Sequence, residues 1–147
     1  MSLDNLVKIG KLHRHEPMPD EVQRLLRGLD RSLADAQVEG LSDEGRFAAT
    51  YDALLRIATI ALRAAGYRTS QDQSGHHAIT LQALPLTLGV DADITIQLDA
   101  YRRKRNLAAY EGDDSVSEGD LAALFAAVTQ IKAQLIAWLK ARHPEFL

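Results

Sequence analysis

The residues whose types and spacing could do chemistry lie in one stretch, Tyr101-Arg102-Arg103-Lys104-Arg105-Asn106-Leu107-Ala108-Ala109-Tyr110. On a helix, residues three and four apart share a face. Arg102, Arg105, Asn106 and Ala109 then line one side, while Arg103 and Lys104 point elsewhere. A guanidinium presents a planar donor fork that matches a phosphate with two parallel hydrogen bonds. Asn106 adds a donor and an acceptor, and Tyr110 can stack on a base or donate to an oxyanion. Such a face suits an RNA backbone or a nucleotide phosphate. The same residues also suit a plainer role. Cations at a helix C-terminus complement the dipole, Asp99 is spaced to pair with Arg102 or Arg103, and Tyr101 and Tyr110 can serve as half-buried packing residues.

The other polar candidates are weaker. His76 and His77 open a helix, where they serve either as capping or core residues or as auxiliary members of a polar site. The five histidines are scattered, and none has the pairing of a zinc motif. Glu111, Asp113 and Asp114 would attract a hard cation, but they lack the calcium-loop pattern. Neither a P-loop nor a dinucleotide-binding glycine pattern is present, so no cofactor and no metal is expected. No serine nucleophile stands out, and there is no cysteine.

The 147 residues suit a single domain, large enough to bury a core without staples. The absence of cysteine excludes a disulfide framework and a thiolate metal site. A net charge of −3 does not advertise nucleic-acid binding. The charge is uneven, however: the basic run Arg102–Arg105 is followed closely by Glu111, Asp113, Asp114, Glu118 and Asp120. That patch could hold a short anion or dock a charged partner. The N-terminus lacks the pattern of a secretory signal. No apolar run approaches the roughly 18 residues of a membrane span. A cytoplasmic protein with no membrane association is the expectation.

The elements that must position these residues read as helices. The first is expected from Asp20 to Val38, with Leu25, Leu26, Leu29 and Leu33 at helical spacing and Pro17 and Pro19 ahead of it. Residues 1–19, with His13, Arg14 and His15, read as an arm or a short helix before a bundle domain spanning 20–147. A second helix starts at the cap Ser42 and stops at Gly66, followed by a polar loop from Arg68 to Gly75. A third covers Gly75 to Leu88 with Ser74 as cap, and Pro85 kinks or splits it. Asp91 opens the fourth, with Ile94, Leu98, Tyr101 and Arg105 as its stripe. Ile94-Thr95-Ile96 is too short, and too lacking in a hairpin partner, to be a strand. After an acidic loop, Ser117 and Asp120 form a capping box for a last helix from Glu118 to Arg142. The expected fold class is therefore all-α, an antiparallel bundle of about five helices.

Three segments resemble the HEPN superfamily, and within it the small bacterial forms related to a streptomycete HEPN family. They are Arg46-Phe47-Ala48-Ala49-Thr50-Tyr51-Asp52-Ala53-Leu54-Leu55 ending in Ala65-Gly66-Tyr67-Arg68, then Gly75-His76-His77-Ala78-Ile79, then Arg105-Asn106-Leu107-Ala108-Ala109-Tyr110. The likeness spans about residues 20 to 140. It implies an HEPN-like bundle, usually a homodimer. It also implies metal-independent RNA cleavage by an arginine, a polar residue after it, and a histidine four to six positions beyond the arginine. Arg105 and Asn106 match the first two. Tyr110 stands where the histidine is typical, and a phenol is a poor general base at neutral pH.

Three functions follow as expectations. The leading one is a non-catalytic or weakly catalytic module that binds RNA or nucleotide phosphate. It would act as a dimer, with a nucleotidyltransferase partner or in a toxin–antitoxin or stress-defence system. The second is a metal-independent RNA endonuclease. The third is a structural or protein-interaction bundle, in which the basic patch forms internal salt bridges and faces no cleft.

Overall fold

The protein, seen as a computed structural model, is described over residues 1–70, 75–111 and 116–147. It is an all-α bundle. Helix α3 (Asp43–Ala64) is central and packs against α2 (Pro19–Asp35), α4 (His76–Gln82), α5 (Leu84–Thr87), α6 (Ala92–Glu111) and α7 (Glu118–Arg142). Its composition explains that place. Phe47, Tyr51, Leu54, Ile57, Ile60 and several alanines are buried around most of its circumference, as a helix surrounded by others requires. The Ser42 side chain accepts from Gly45 N at 3.0 Å to start it, and Gly66 ends it at φ +97°, a backbone conformation that glycine adopts without a Cβ penalty. Against α3, helix α2 buries Val22 and Leu29 and passes so close at Gly28 that a Cβ there would meet the Arg56 guanidinium at 2.5 Å.

The helices expected from spacing are present, with three differences of extent. Helix α2 ends at Asp35 rather than Val38, because the chain tightens there into turns that accept at Ala34 O and Asp35 O. The expected third helix is two, α4 and α5, divided before Pro85, which takes a first-turn position in α5 where its missing N–H costs nothing. Gly75, at φ +84°, is the residue before α4 and gives no side-chain cap; Ser74 lies outside the described residues. Ile94-Thr95-Ile96 is helical, but the buried stripe of α6 runs through Thr95, Leu98 and Ala108, leaving Ile94 and Ile96 exposed. The capping box of α7 is formed by Ser117 and Asp120.

The expected polar loop after Gly66 instead begins with a strand. Residues Leu12–Arg14 (β1) and Tyr67–Thr69 (β2) pair antiparallel, with Leu12 opposite Thr69 and Arg14 opposite Tyr67. The N-terminal segment is thus a short helix, α1 (Leu3–Lys8), followed by this strand. Leu6 and Leu12 bury themselves with Leu62 and Ala83 in a second apolar cluster. Glu21 at the start of α2 binds both the His15 imidazole at 2.7 Å and the Arg63 guanidinium at 2.8 Å, tying this end to α3.

Helix α7 turns Leu124, Val128, Ile131, Leu135 and Leu139 into the core. The rest of it is rich in alanine and mostly uncovered. By length and composition alone it is apolar enough to cross a membrane, with 22% of its apolar window buried in the chain. This corrects the expectation that no stretch reaches that threshold. Alanine, a weak apolar residue at any one position, sums to a high mean hydropathy over a long helix.

Candidate functional site

Helices α3, α4 and α6 pack against one another in pairs. Where they meet they leave a pocket of about 280 Å³. The edge-to-face contact of Phe47 with Tyr101, with ring centroids 6.0 Å apart, seats α6 on α3. Thr80 Oγ1 donates to His76 O at 2.7 Å and holds the first turn of α4. All six residues singled out from the sequence line this one pocket: Arg102, Arg105, Asn106 and Tyr110 from α6, and His76 and His77 from the start of α4. Tyr51 and Asp52 of α3 join them.

The basic run divides by partner. Arg102 Nε donates to Asp99 Oδ1 at 2.8 Å, and Arg103 donates to Asp99 Oδ2 at 2.8 Å. These contacts hold the Asp99 carboxyl below the usual carboxylate range, the Arg102 hydrogen bond first. Lys104 reaches Asp120 at the start of α7 at 2.7 Å. The plainer role foreseen for this patch therefore applies to Arg102, Arg103 and Lys104. Arg105 differs. Among the described residues it has no hydrogen bond and no ion pair, and its Nε is buried without an acceptor. Asn106, half-buried, likewise makes no side-chain hydrogen bond among the described residues. A partly buried cation without a counter-charge is costly unless something supplies one.

The pocket's remaining groups set its chemistry. Tyr51 is 3% exposed, and among the described residues its hydroxyl has no partner. Burial pushes the phenol up to about 12, against the pull of the Arg102 and Arg105 guanidiniums, so it stays protonated at physiological pH. The His76 and His77 rings meet edge to face with centroids 4.3 Å apart. Burial first, then the charges of His76 and Arg105, hold His77 below the ordinary imidazole value, which keeps it neutral near pH 7. Tyr110 is 84% exposed and stands at the rim.

Tyr51 and Asp52 were not found by spacing, since they sit far from the α6 motif in sequence. Their one signal was membership of the segment Arg46–Leu55 noted above. Asp113 and Asp114 lie outside the described residues. Among the described residues, no three of His, Cys, Asp and Glu group to hold a metal ion. A scan of protein-family models, a search of curated proteins and a search of solved structures each find no match to this chain.

Proposed function

We propose that this chain is an HEPN-like module whose α3–α4–α6 pocket binds the phosphate of an RNA or a nucleotide. The observation that carries the reading is the Arg105 guanidinium facing that pocket beside the Asn106 amide, both without a partner among the described residues. A phosphate oxygen would satisfy donors that nothing in the described chain satisfies, and Arg102, already oriented by Asp99, adds a second positive charge. Tyr110, exposed at the rim, is placed to stack on a base. The pocket's size, at the lower edge of ordinary small-ligand sites, suits a phosphate and its attached sugar better than an extended duplex. In a cell such a module would act with a nucleotidyltransferase or within a toxin–antitoxin or stress-defence system.

A second reading, RNA cleavage without metal, is favoured by one specific feature. Two imidazoles share the pocket with two guanidiniums, although no histidine stands at the expected place on α6. A neutral His77 would take the proton of a ribose 2′-hydroxyl as its oxygen attacks phosphorus. The 5′-oxygen would take a proton from solvent as its bond to phosphorus breaks, giving a 2′,3′-cyclic phosphate and a 5′-hydroxyl.

One titration series tests both readings. Short single-stranded RNAs and nucleoside monophosphates are titrated against wild type and Arg105→Ala, then incubated in chelator and analysed for cleavage. Binding weakened at least tenfold by Arg105→Ala supports the module. Cleavage that His77→Ala abolishes while binding persists supports the enzyme. No binding by the wild type, or equal binding by both proteins, overturns the first reading, and intact RNA overturns the second.

A further inference from the structure

The outward face of α7 is rich in exposed alanine. Glu118, Ala122, Phe125, Thr129, Ala133, Ile136 and Lys140 recur every three or four residues and lie on one side of the helix. Two shallow grooves run end to end along that side. One is lined by Glu118, Leu121, Ala122, Phe125 and Ala126, with Ala36, Gln37 and Arg46 as its wall. The other is lined by Thr129, Lys132, Ala133, Ile136, Ala137 and Lys140. Their charged groups are Glu118 and Lys140 at the two ends, Arg46 in the wall of the first, and Lys132, which is tied to Asp30 at 3.2 Å. Water gains little from an alanine-walled strip of this length, and a soluble helix with so little polar cover ordinarily has a neighbour.

We infer that this face pairs α7 with α7 of a second copy of the chain, antiparallel about a two-fold axis at Thr129. Three features of the helix select that occupant. First, the strip is self-complementary in size. A two-fold axis at Thr129 sets Phe125 against Ala133 and Ile136 against Ala122, so each large side chain meets a small one and each groove receives the partner's half of the helix. Second, it is self-complementary in charge. The same axis brings exposed Glu118 opposite exposed Lys140, and among the described residues neither has an ion-pair partner in its own chain. A parallel pairing would oppose like charges at both ends. Antiparallel helix dipoles add to the preference. Third, the area suffices. A helix of 25 residues is about 37 Å long, and with a groove alongside the strip covers on the order of 700 Å² per protomer, near the ~800 Å² of an ordinary stable interface. The alanines permit close approach, toward the lower end of the ~8–10 Å axial distances seen for packed helices. None of the residues lining the phosphate pocket lies on α7, so the pairing stands or falls apart from the ligand reading.

The experiment is sedimentation of the full chain over a dilution series, with cross-linking as a second arm. The wild type is expected at twice the 16.2 kDa chain mass. Ala133→Arg should raise the dimer dissociation constant more than tenfold with an unchanged circular dichroism spectrum. Glu118→Lys and Lys140→Glu should each weaken the dimer, and the double exchange should restore it. The chain has no cysteine, so single cysteines report cleanly. Thr129→Cys should form a disulfide-linked dimer under mild oxidation, whereas Ala123→Cys, exposed but off the strip, should not. A wild type that stays monomeric at ~100 µM, about the weak end of specific association, overturns the inference. So does a dimer indifferent to Ala133→Arg, and so does a monomer that uses this face to bind phospholipid vesicles.

Discussion

Arg105 is held in place by the fold, and no side chain among the described residues compensates it. Its neighbours on α6 each found a carboxylate: Arg102 and Arg103 share Asp99, and Lys104 takes Asp120. Partly burying a guanidinium that lacks such a partner costs stability, and sites that bind charge commonly carry that cost in the unliganded state. Replacing Arg105 by methionine keeps the stem and removes the charge. Arg105→Met should therefore stabilise the free protein by about 1 kcal/mol while losing phosphate binding. Urea unfolding of the two proteins measures it, and a variant less stable than wild type would show that the guanidinium is tied internally. The spacing of Arg102, Arg105 and Asn106 made their common face legible in the sequence. Which of the cations stayed free was not legible, because Asp99 lies within reach of Arg102 and Arg103 alike and Asp120 pairs with Lys104 from another helix. The convergence of His77 and Tyr51 on the same pocket depends on how α4 and α3 cross α6, and no local pattern encodes that.

At the scale of elements, the long helices announced themselves through caps and stops such as Ser42, Gly66 and the Ser117–Asp120 box. The strands did not. Three residues are too few to show alternation, and β1 and β2 exist because Leu12 fills the space above Leu62 and Ala83, a tertiary cause. The ion cluster at Glu21 fastens this region. Burial works to raise the Glu21 carboxyl, but His15 and Arg63 together hold it below its ordinary 4.5. A carboxylate depressed in the folded state contributes stability above its unfolded value, and that contribution is lost as pH falls through the folded value. Glu21→Gln should thus cost roughly 2 kcal/mol at pH 7, with the gap to wild type closing below about pH 4.5. Denaturant titrations at pH 7 and pH 3.5 read it out. A gap that persists at the lower pH would assign the loss to packing instead.

At the scale of the whole molecule, the all-α class was legible because the apolar stripes of the long helices have helical period throughout. The uneven cover of α7 was not, since its five core residues satisfy the periodic pattern whether or not the opposite side meets water. The pairing of Leu12–Arg14 with Tyr67–Thr69 has a consequence for biosynthesis. The first strand leaves the ribosome long before its mate, which is made only after α2 and α3 are complete, so the opening residues must wait while the central hairpin forms from nearby contacts. Pulse-labelled hydrogen exchange during refolding should find the amides of α3 protected early, and those of residues 12–14 and 67–69 protected together and later. Simultaneous protection of all three would mean that the amino-terminal cluster belongs to the nucleus. If the order is as expected, the amino terminus is the last part of this chain to lock, and a fusion placed there should slow completion of the fold without preventing its start.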